Sequence, residues 1–411
     1  VGRFSFQNYQ AVQQAPGDEP KLLSPIFAPL SGKSWYRTQG FKEMGYVHGT
    51  TQDSYRQTSQ WLNRIRHQLD GGTPSRSLQD STQREGKRVL AQLEQKSAQI
   101  LKAHDFNQQG TPTKSIAADQ QPIHLSAERV AQAIERCGKT DLIREQMRAN
   151  PVAYEDPQQS VNISIDDVGV KRQSAQRPAA PPDSEATRKY AYQTVVHIDN
   201  QTGCYRFNAV GLSVTLSILV AFLLHNDLLQ GNLQVFADGQ KTLHDSVLTT
   251  LAWFTPLQLI LDWYHLREKC KLQLSLACNG RHCRNQHLAR LTTLLWHGLV
   301  DAAVIYLDYL DPNHLKNAQA LEQLKAYLRR SRPHIPCYSV RQSLGLRNSS
   351  SLGEKSNDLL VSTRQKHNGM SWSKAGSVAL AAITALIYNK EYLTWFRTGD
   401  LNFKLLPREA V

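Results

Sequence analysis

The stretch Leu233 to Gly239, LQVFADG, constrains the fold of this chain more than any other. It is a short apolar run that stops abruptly on Asp238, with Gly239 and then a helical-looking segment behind it. Such a run predicts a strand buried in a sheet. An acid at the C-terminal tip of that strand lies where an open α/β sheet presents its ligands. Two further segments can bring a carboxylate to the same edge. VNISIDD, Val161 to Asp167, is a β-branched run ending on an acidic pair, and SLGEKSND, Ser351 to Asp358, opens a later helical segment with Glu354. Three carboxylates on separate elements suit hard, oxygen-liganded cations such as Mg²⁺.

The 411 residues suffice for two or three domains and a sizeable core. Lys and Arg number 48 against 35 Asp and Glu, a formal charge of +13. That excess points to an acidic partner, nucleic acid ahead of a membrane surface, since no basic amphipathic anchor stands out. The longest apolar run, Ala209 to Leu224, is broken by Ser213, Thr215 and Ser217 and falls short of the ~20 residues of a membrane span, which predicts a buried helix. The N-terminal VGRFSFQNYQ has neither a charged n-region nor an apolar h-region, so no secretory signal is expected, and the missing initiator Met leaves room for residues upstream. Six irregularly spaced cysteines, Cys137, Cys204, Cys270, Cys278, Cys283 and Cys337, fit a reducing compartment. A zinc site drawn from Cys270, Cys278, Cys283, His282 and His287 ranks below free buried thiols, because CNGRHC has a four-residue gap and no paired Cys-x-x-Cys.

Residues 1–150 are Gln-rich with helical segments. Tyr55, Trp61, Leu62 and Ile65 fall near helical spacing beside Arg56, Arg64 and Arg66, and Leu90, Leu93, Ile100 and Leu101 repeat the pattern. A helical DNA-binding region and an ordinary helical or partly disordered arm are both compatible with this. Residues 151–265 read as β, β, β, α, β, α, β: VNISIDDVGVKRQ, then KYAYQTVVHID and CYRFNAV around a turn, then the buried helix, LQVFADG, QKTLHDSVLTTLAWF and LQLILDWYHL. A Pro/Ala excursion, Ser174 to Thr187, interrupts the first two strands. Residues 266–345 are helical without strand signals, with stripes through Leu288, Leu291, Leu295 and Leu299 and through Leu321, Leu324 and Leu328. Residues 346–411 contribute Glu354 and an Ala-rich closing helix. The expected fold is therefore α/β, a mixed sheet with helices packed on it.

Taken together, these motifs resemble the RNase H-like DDE transposases. IDDVGVKRQ is similar to the first-acid strand of bacterial insertion-sequence transposases related to the Mutator group, and FADGQKTLHDSV to their second-acid motif. LDWYHL supplies Asp262-x-x-His265, which resembles the Cys/Asp-x-x-His signature of Mutator-like and hAT-like enzymes. GEKSNDLLVSTRQKHNGMSWSKAG resembles the third-acid segment, with its trailing basic cluster and Gly-Met-x-Trp. The resemblance runs from about Val161 to Phe396 and is silent on the N-terminal third. It implies an RNase H-like core with an all-helical insertion, in which Asp166, Asp238 and Glu354 hold two Mg²⁺ or Mn²⁺ ions. Asp167 is the alternative to Asp166. Aligning Val170-Lys171 with the pair that follows the family's strand favours Asp166, and strand alternation does not decide.

The same resemblance puts Asp262 and His265 beside the centre as accessory residues, against a plain capping role for the pair. Arg364, Lys366 and His367 would hold phosphates, unless they form a solvated basic face. Trp263, Trp296 and Trp372 are candidates for stacking on an unpaired base or for the core. The expected function is a DNA transposase of a prokaryotic insertion sequence, a homodimer or larger assembly on element ends and target, cytoplasmic and nucleoid-associated. Its rivals are an RNase H-like nuclease without strand transfer and a domesticated, non-catalytic DNA-binding protein.

Overall fold

A computed structural model describes residues 11–13, 21–23, 39–51, 54–65, 72–114, 120–173, 190–366 and 370–408. A short antiparallel pair, β1 (Ala11–Gln13) and β2 (Lys21–Leu23), comes first. Helices α1 (Gln39–Thr51), α2 (Tyr55–Ile65), α3 (Ser75–Ala103), α4 (Ala127–Cys137) and α5 (Asp141–Arg148) follow. Ser126 caps α4 by accepting the Arg129 N–H, as a hydroxyl at that position does.

The sheet is then laid down as β3 (Ser160–Lys171), β4 (Tyr190–Asp199), β5 (Gly203–Ala209), α6 (Leu212–His225), β6 (Asn232–Ala237), α7 (Lys241–Thr250) and β7 (Leu257–Leu261). Each strand coincides with a run expected from the sequence. The Pro/Ala excursion between β3 and β4 lies outside the described residues. A two-residue edge strand, β8 (Leu406–Pro407), adds a sixth member and gives the order β7-β6-β3-β4-β5-β8. β3, β4 and β5 are antiparallel neighbours, while β6 and β7 join β3 in parallel. Val161, Ile163, Leu233, Val235 and Leu259 face one cluster with α6 and α7. Helix α6 buries Thr215 to Leu223 almost continuously apart from Ser217, so the long apolar run is indeed a core helix. Among the described residues no helix is long and apolar enough to cross a membrane.

Between β7 and the closing segment run α8 (Trp263–Ala277), α9 (Gly280–Trp296), α10 (Val300–Asp308), α11 (Ala318–Ser331) and α12 (Tyr338–Ser343). Leu274, Leu291, Leu295, Leu307, Leu321, Leu324 and Leu328 give them a core of their own. Arg341 of α12 ties this unit to the sheet. It is fully buried and donates through Nη2 to Gln234 Oε1 at 2.8 Å and through Nε to the Arg347 carbonyl at 2.9 Å. The chain closes with α13 (Ser351–Asn357), a π turn over Asp358–Ser362, α14 (Thr363–Gln365), α15 (Lys374–Tyr388) and α16 (Tyr392–Thr398).

The expected division at residue 150 is not a boundary in the packing. Val89, Leu93 and Leu101 of α3 share a buried cluster with the sheet and with Ala382, Ile383 and Leu386 of α15. The two helices approach so closely that a Cβ on Gly86 would lie 2.0 Å from the Ala379 carbonyl oxygen. Ala133, Ile134 and Met147 of α4 and α5 pack on Leu299, Cys337 and Val340. Among the described residues, the apolar faces of α3, α4 and α5 are thus packed into the core that follows.

Candidate active site

Register across the parallel strands lines up three aspartates. Ser164 pairs with Phe236, so Asp166 and Asp238, two residues further along, end level. Ala237 pairs with Leu261, so Asp238 and Asp262 end level as well. β6 can expose its acid there because the strand stops at Ala237. The turn behind it is fixed by Asp238 Oδ1, which accepts the Gln240 N–H at 2.9 Å.

Helix α13 brings Glu354 to the same edge. It lies directly on β3, where a Cβ on Gly353 would sit 2.5 Å from the Ser164 Cβ. Only glycine permits that approach, and the next residue is Glu354. Its carboxylate meets His265 of α8, with Nε2 and Oε1 3.1 Å apart. His265 is in turn placed by Asp262, whose Oδ1 accepts the backbone N–H groups of Tyr264 at 2.6 Å and His265 at 3.0 Å. Asp262 Oδ2 accepts the Ser350 N–H and, at 2.8 Å, its hydroxyl. Asp262 is 1 % exposed and its oxygens are thus engaged. It caps α8 and anchors the loop that leads into α13, so the Asp-x-x-His pair acts as a framework: the acid sets the helix start and the imidazole faces Glu354.

Of the acidic pair on β3, Asp166 and not Asp167 faces the cluster. Asp166 Oδ2 accepts from Asn357 Nδ2 at 2.6 Å and Oδ1 from the Asp167 N–H at 2.8 Å. Asp167 is exposed and accepts from the Thr194 hydroxyl at 2.6 Å. Burial, with the charges of Glu354 and Asp238 adding to it, pushes the Asp166 carboxyl up to about 6 against the pull of His265. The hydrogen bond to Glu354 raises His265 to about 9, with Asp262 and Asp166 adding to it. The same bond holds Glu354 below the usual carboxylate range, helped by Lys366. Behind Asp238, burial and the neighbouring His334 lower His244 to about 4.

The chemistry of this donor set suits hard divalent cations: three carboxylates, one of them disfavoured as an anion by burial and by the other two. Among the described residues the acidic trio does not belong to a tight cage; only Cys283, His287 and His314 bring three ligand atoms within 4.8 Å of one another. An open trio fits ions that share their coordination with a substrate.

Arg364 requires a correction. It is 3 % exposed, donates from Nε to the Gly49 carbonyl at 3.0 Å, and lies 5.3 Å from the ring centres of both Tyr55 and Trp372. It holds α1 and α2 against the closing segment and is not available to a phosphate. Lys366 is exposed close to Glu354, and His367 lies outside the described residues. The three tryptophans belong to the packing: Trp372 donates to the Gln365 carbonyl at 3.1 Å, and Trp263 meets Trp296 edge-on at 4.8 Å. Sequence reading missed Asn357, which follows Glu354 by one helical turn on the same face, and His244, whose place beside Asp238 no local pattern signals.

No family model matches the chain, and no curated protein matches it. Among solved structures, the Drosophila P element transposase strand transfer complex aligns over 93% of this chain and 85% of that chain, at 9% identity and a TM-score of 0.27. The Mos1 transposase paired-end complex with left transposon end aligns over 76% and 100%, at 10% identity and a TM-score of 0.17. Superpositions at such scores add nothing to the fold and geometry described above.

Proposed function

We propose that the chain is a DNA transposase of the DDE type, built on an RNase H-like core that the helices α8 to α12 interrupt. The observation that carries this reading is the meeting of Asp166, Asp238 and Glu354, from β3, the end of β6 and α13, at one edge of a mixed sheet. The strand order supports it, with three antiparallel strands first and two parallel strands added beyond β3.

Asp166, Asp238 and Glu354 would hold two Mg²⁺ or Mn²⁺ ions. When bound, such a pair activates an attacking oxygen and stabilises the leaving one in phosphodiester hydrolysis and transfer. The chain's own residues prepare the site. Asn357 orients Asp166, His265 holds Glu354 and withdraws part of its charge, and Asp262 fixes where His265 stands. Lys366, with Lys269 and Arg330 flanking Tyr327 behind Asp238, offers positive charge to DNA phosphates near the acids. Water would attack first at the element end, and the freed 3′-hydroxyl would then attack target DNA at the same acids. Such chemistry on two ends implies at least a homodimer.

The test uses duplexes taken from the DNA flanking the coding sequence, intact and pre-nicked, with Mg²⁺ or Mn²⁺. Nicking of the intact duplex and joining of the pre-nicked 3′ end to a second duplex are expected. Nicking without joining would establish a nuclease instead. Binding without either would leave the non-catalytic reading.

A further inference from the structure

We propose that Cys283, His287 and His314, with Cys278 as fourth ligand, form a structural zinc site that clips the α8–α9 corner to the turn before α11. The site is separate from the acidic trio and independent of the function proposed above.

Cys283 and His287 stand four residues apart on α9 and so share one face of the helix. His314 arrives from the short turn Pro312–His314, which backbone hydrogen bonds hold against the corner. The Asn279 N–H donates to the His314 carbonyl at 2.7 Å and the Lys316 N–H to the Ala277 carbonyl at 2.8 Å, which pairs Cys278 with Leu315 in an antiparallel bridge. The ligand atoms of Cys283, His287 and His314 lie within 4.8 Å of one another. His287 Nε2 and His314 Nδ1 are 3.3 Å apart. Two imidazoles on a tetrahedral zinc at Zn–N distances of 2.0–2.1 Å would be separated by about 3.3 Å. Cys278, the fourth ligand, is buried and interacts electrostatically with Cys283.

The outer ring fits as well. Tyr306 Oη lies 2.7 Å from His287 Nδ1, which fixes the ring and leaves Nε2 turned toward His314. Two thiolates and two imidazoles select zinc over the oxygen-preferring cations of the acidic site. A Cys₂His₂ set also leaves no open position, which marks a structural centre. The spacing Cys-x₄-Cys-x₃-His hides this from sequence, because the remaining ligand, His314, comes from a turn beyond α10. Of the five candidates read there, Cys270 is buried in the helical core and His282 is exposed on α9.

The experiment measures zinc per chain by mass spectrometry after dialysis against excess Mg²⁺. About one ion per chain is expected for the wild type, for Asp166→Asn and for His282→Ala. Cys283→Ser and His287→Ala should lose it, and Tyr306→Phe should weaken zinc affinity by roughly tenfold. Should a ligand variant fail to fold, the wild type decides alone: metal-free protein titrated with Co²⁺ should develop the intense visible absorption of a tetrahedral thiolate site, erased by zinc. A wild type without zinc and without that absorption overturns the proposal. Full zinc occupancy in folded Cys283→Ser/His287→Ala overturns it equally.

Discussion

Glu354 is half exposed, yet a single hydrogen bond to His265 fixes where its charge sits. Glu354→Gln keeps the shape and removes the charge. We expect normal melting and normal affinity for element-end DNA, with cleavage and joining reduced by orders of magnitude, read by parallel melts, gel shifts and nicking assays. A variant that still nicks at the wild-type rate would remove Glu354 from the site and direct attention to Asp358.

The same residues set the pH response. His265 is raised from 6.5 to about 9, so its contribution to stability is complete below 6.5 and fades as pH rises through 9. Glu354 is depressed, so its share is present above its unfolded value and lost in acid. His265→Gln should therefore flatten the alkaline limb of the melting profile between pH 6.5 and 9. Asp166 runs the other way: raised from 3.8 to about 6, it favours the fold when protonated and opposes it as pH climbs through 6. Bound divalent cations offset the cost of the buried Asp166 charge, so the rise in Tm on adding Mn²⁺ should be small at about pH 5 and large at about pH 7.5. Equal shifts at both values, or an unchanged response in Asp166→Asn, would exclude Asp166 as a ligand.

At the scale of elements, the site depends on how closely α13 lies on β3. Gly353→Ala puts a methyl 2.5 Å from the Ser164 Cβ, and the helix must lift. We expect a loss of roughly 1–3 kcal/mol and a displaced Glu354, with stability and nicking both partly restored by Ser164→Gly. Unrescued activity in the double variant would argue that the contact does not place the acid. Arg364→Ala acts elsewhere. It removes a buried cation from two aromatic rings and should lower stability by about 2 kcal/mol while leaving the DNA affinity of the folded fraction unchanged. A gel shift weakened in step with other basic-residue variants would restore Arg364 to the DNA surface.

Across the whole chain, a net charge of +13 accompanies an acidic site. If the cations serve DNA, affinity should fall steeply between low and physiological salt, since each phosphate contact releases counterions. An affinity indifferent to salt would set nucleic acid aside as the partner. Among the described residues, α3 and α15 interlock and α4 and α5 sit on α12.

Local pattern alone determined the strands β3 to β7, the buried helix α6 and the purely helical run before Glu354. In each case burial on a regular backbone imposes its own period on neighbouring residues. Local pattern also marked Asp166, Asp238 and Glu354 as candidates, since acids at strand tips or beside a tight glycine stand out from apolar surroundings. Partnership across the chain left no such trace. The stripe on α3 announces a helix without saying that α15 receives it. Strand alternation could not tell Asp166 from Asp167 and only the family resemblance favoured Asp166; the physical reason, Asn357 of α13 set against Asp166, lies in the fold. Arg364 sits in a basic cluster in sequence and between two aromatic rings in space. His314 is an unremarkable turn residue until the fold carries it to Cys283 and His287. Tertiary structure decided these because a side chain's chemistry is set by what lies within a few ångströms, and those neighbours come from distant parts of the chain.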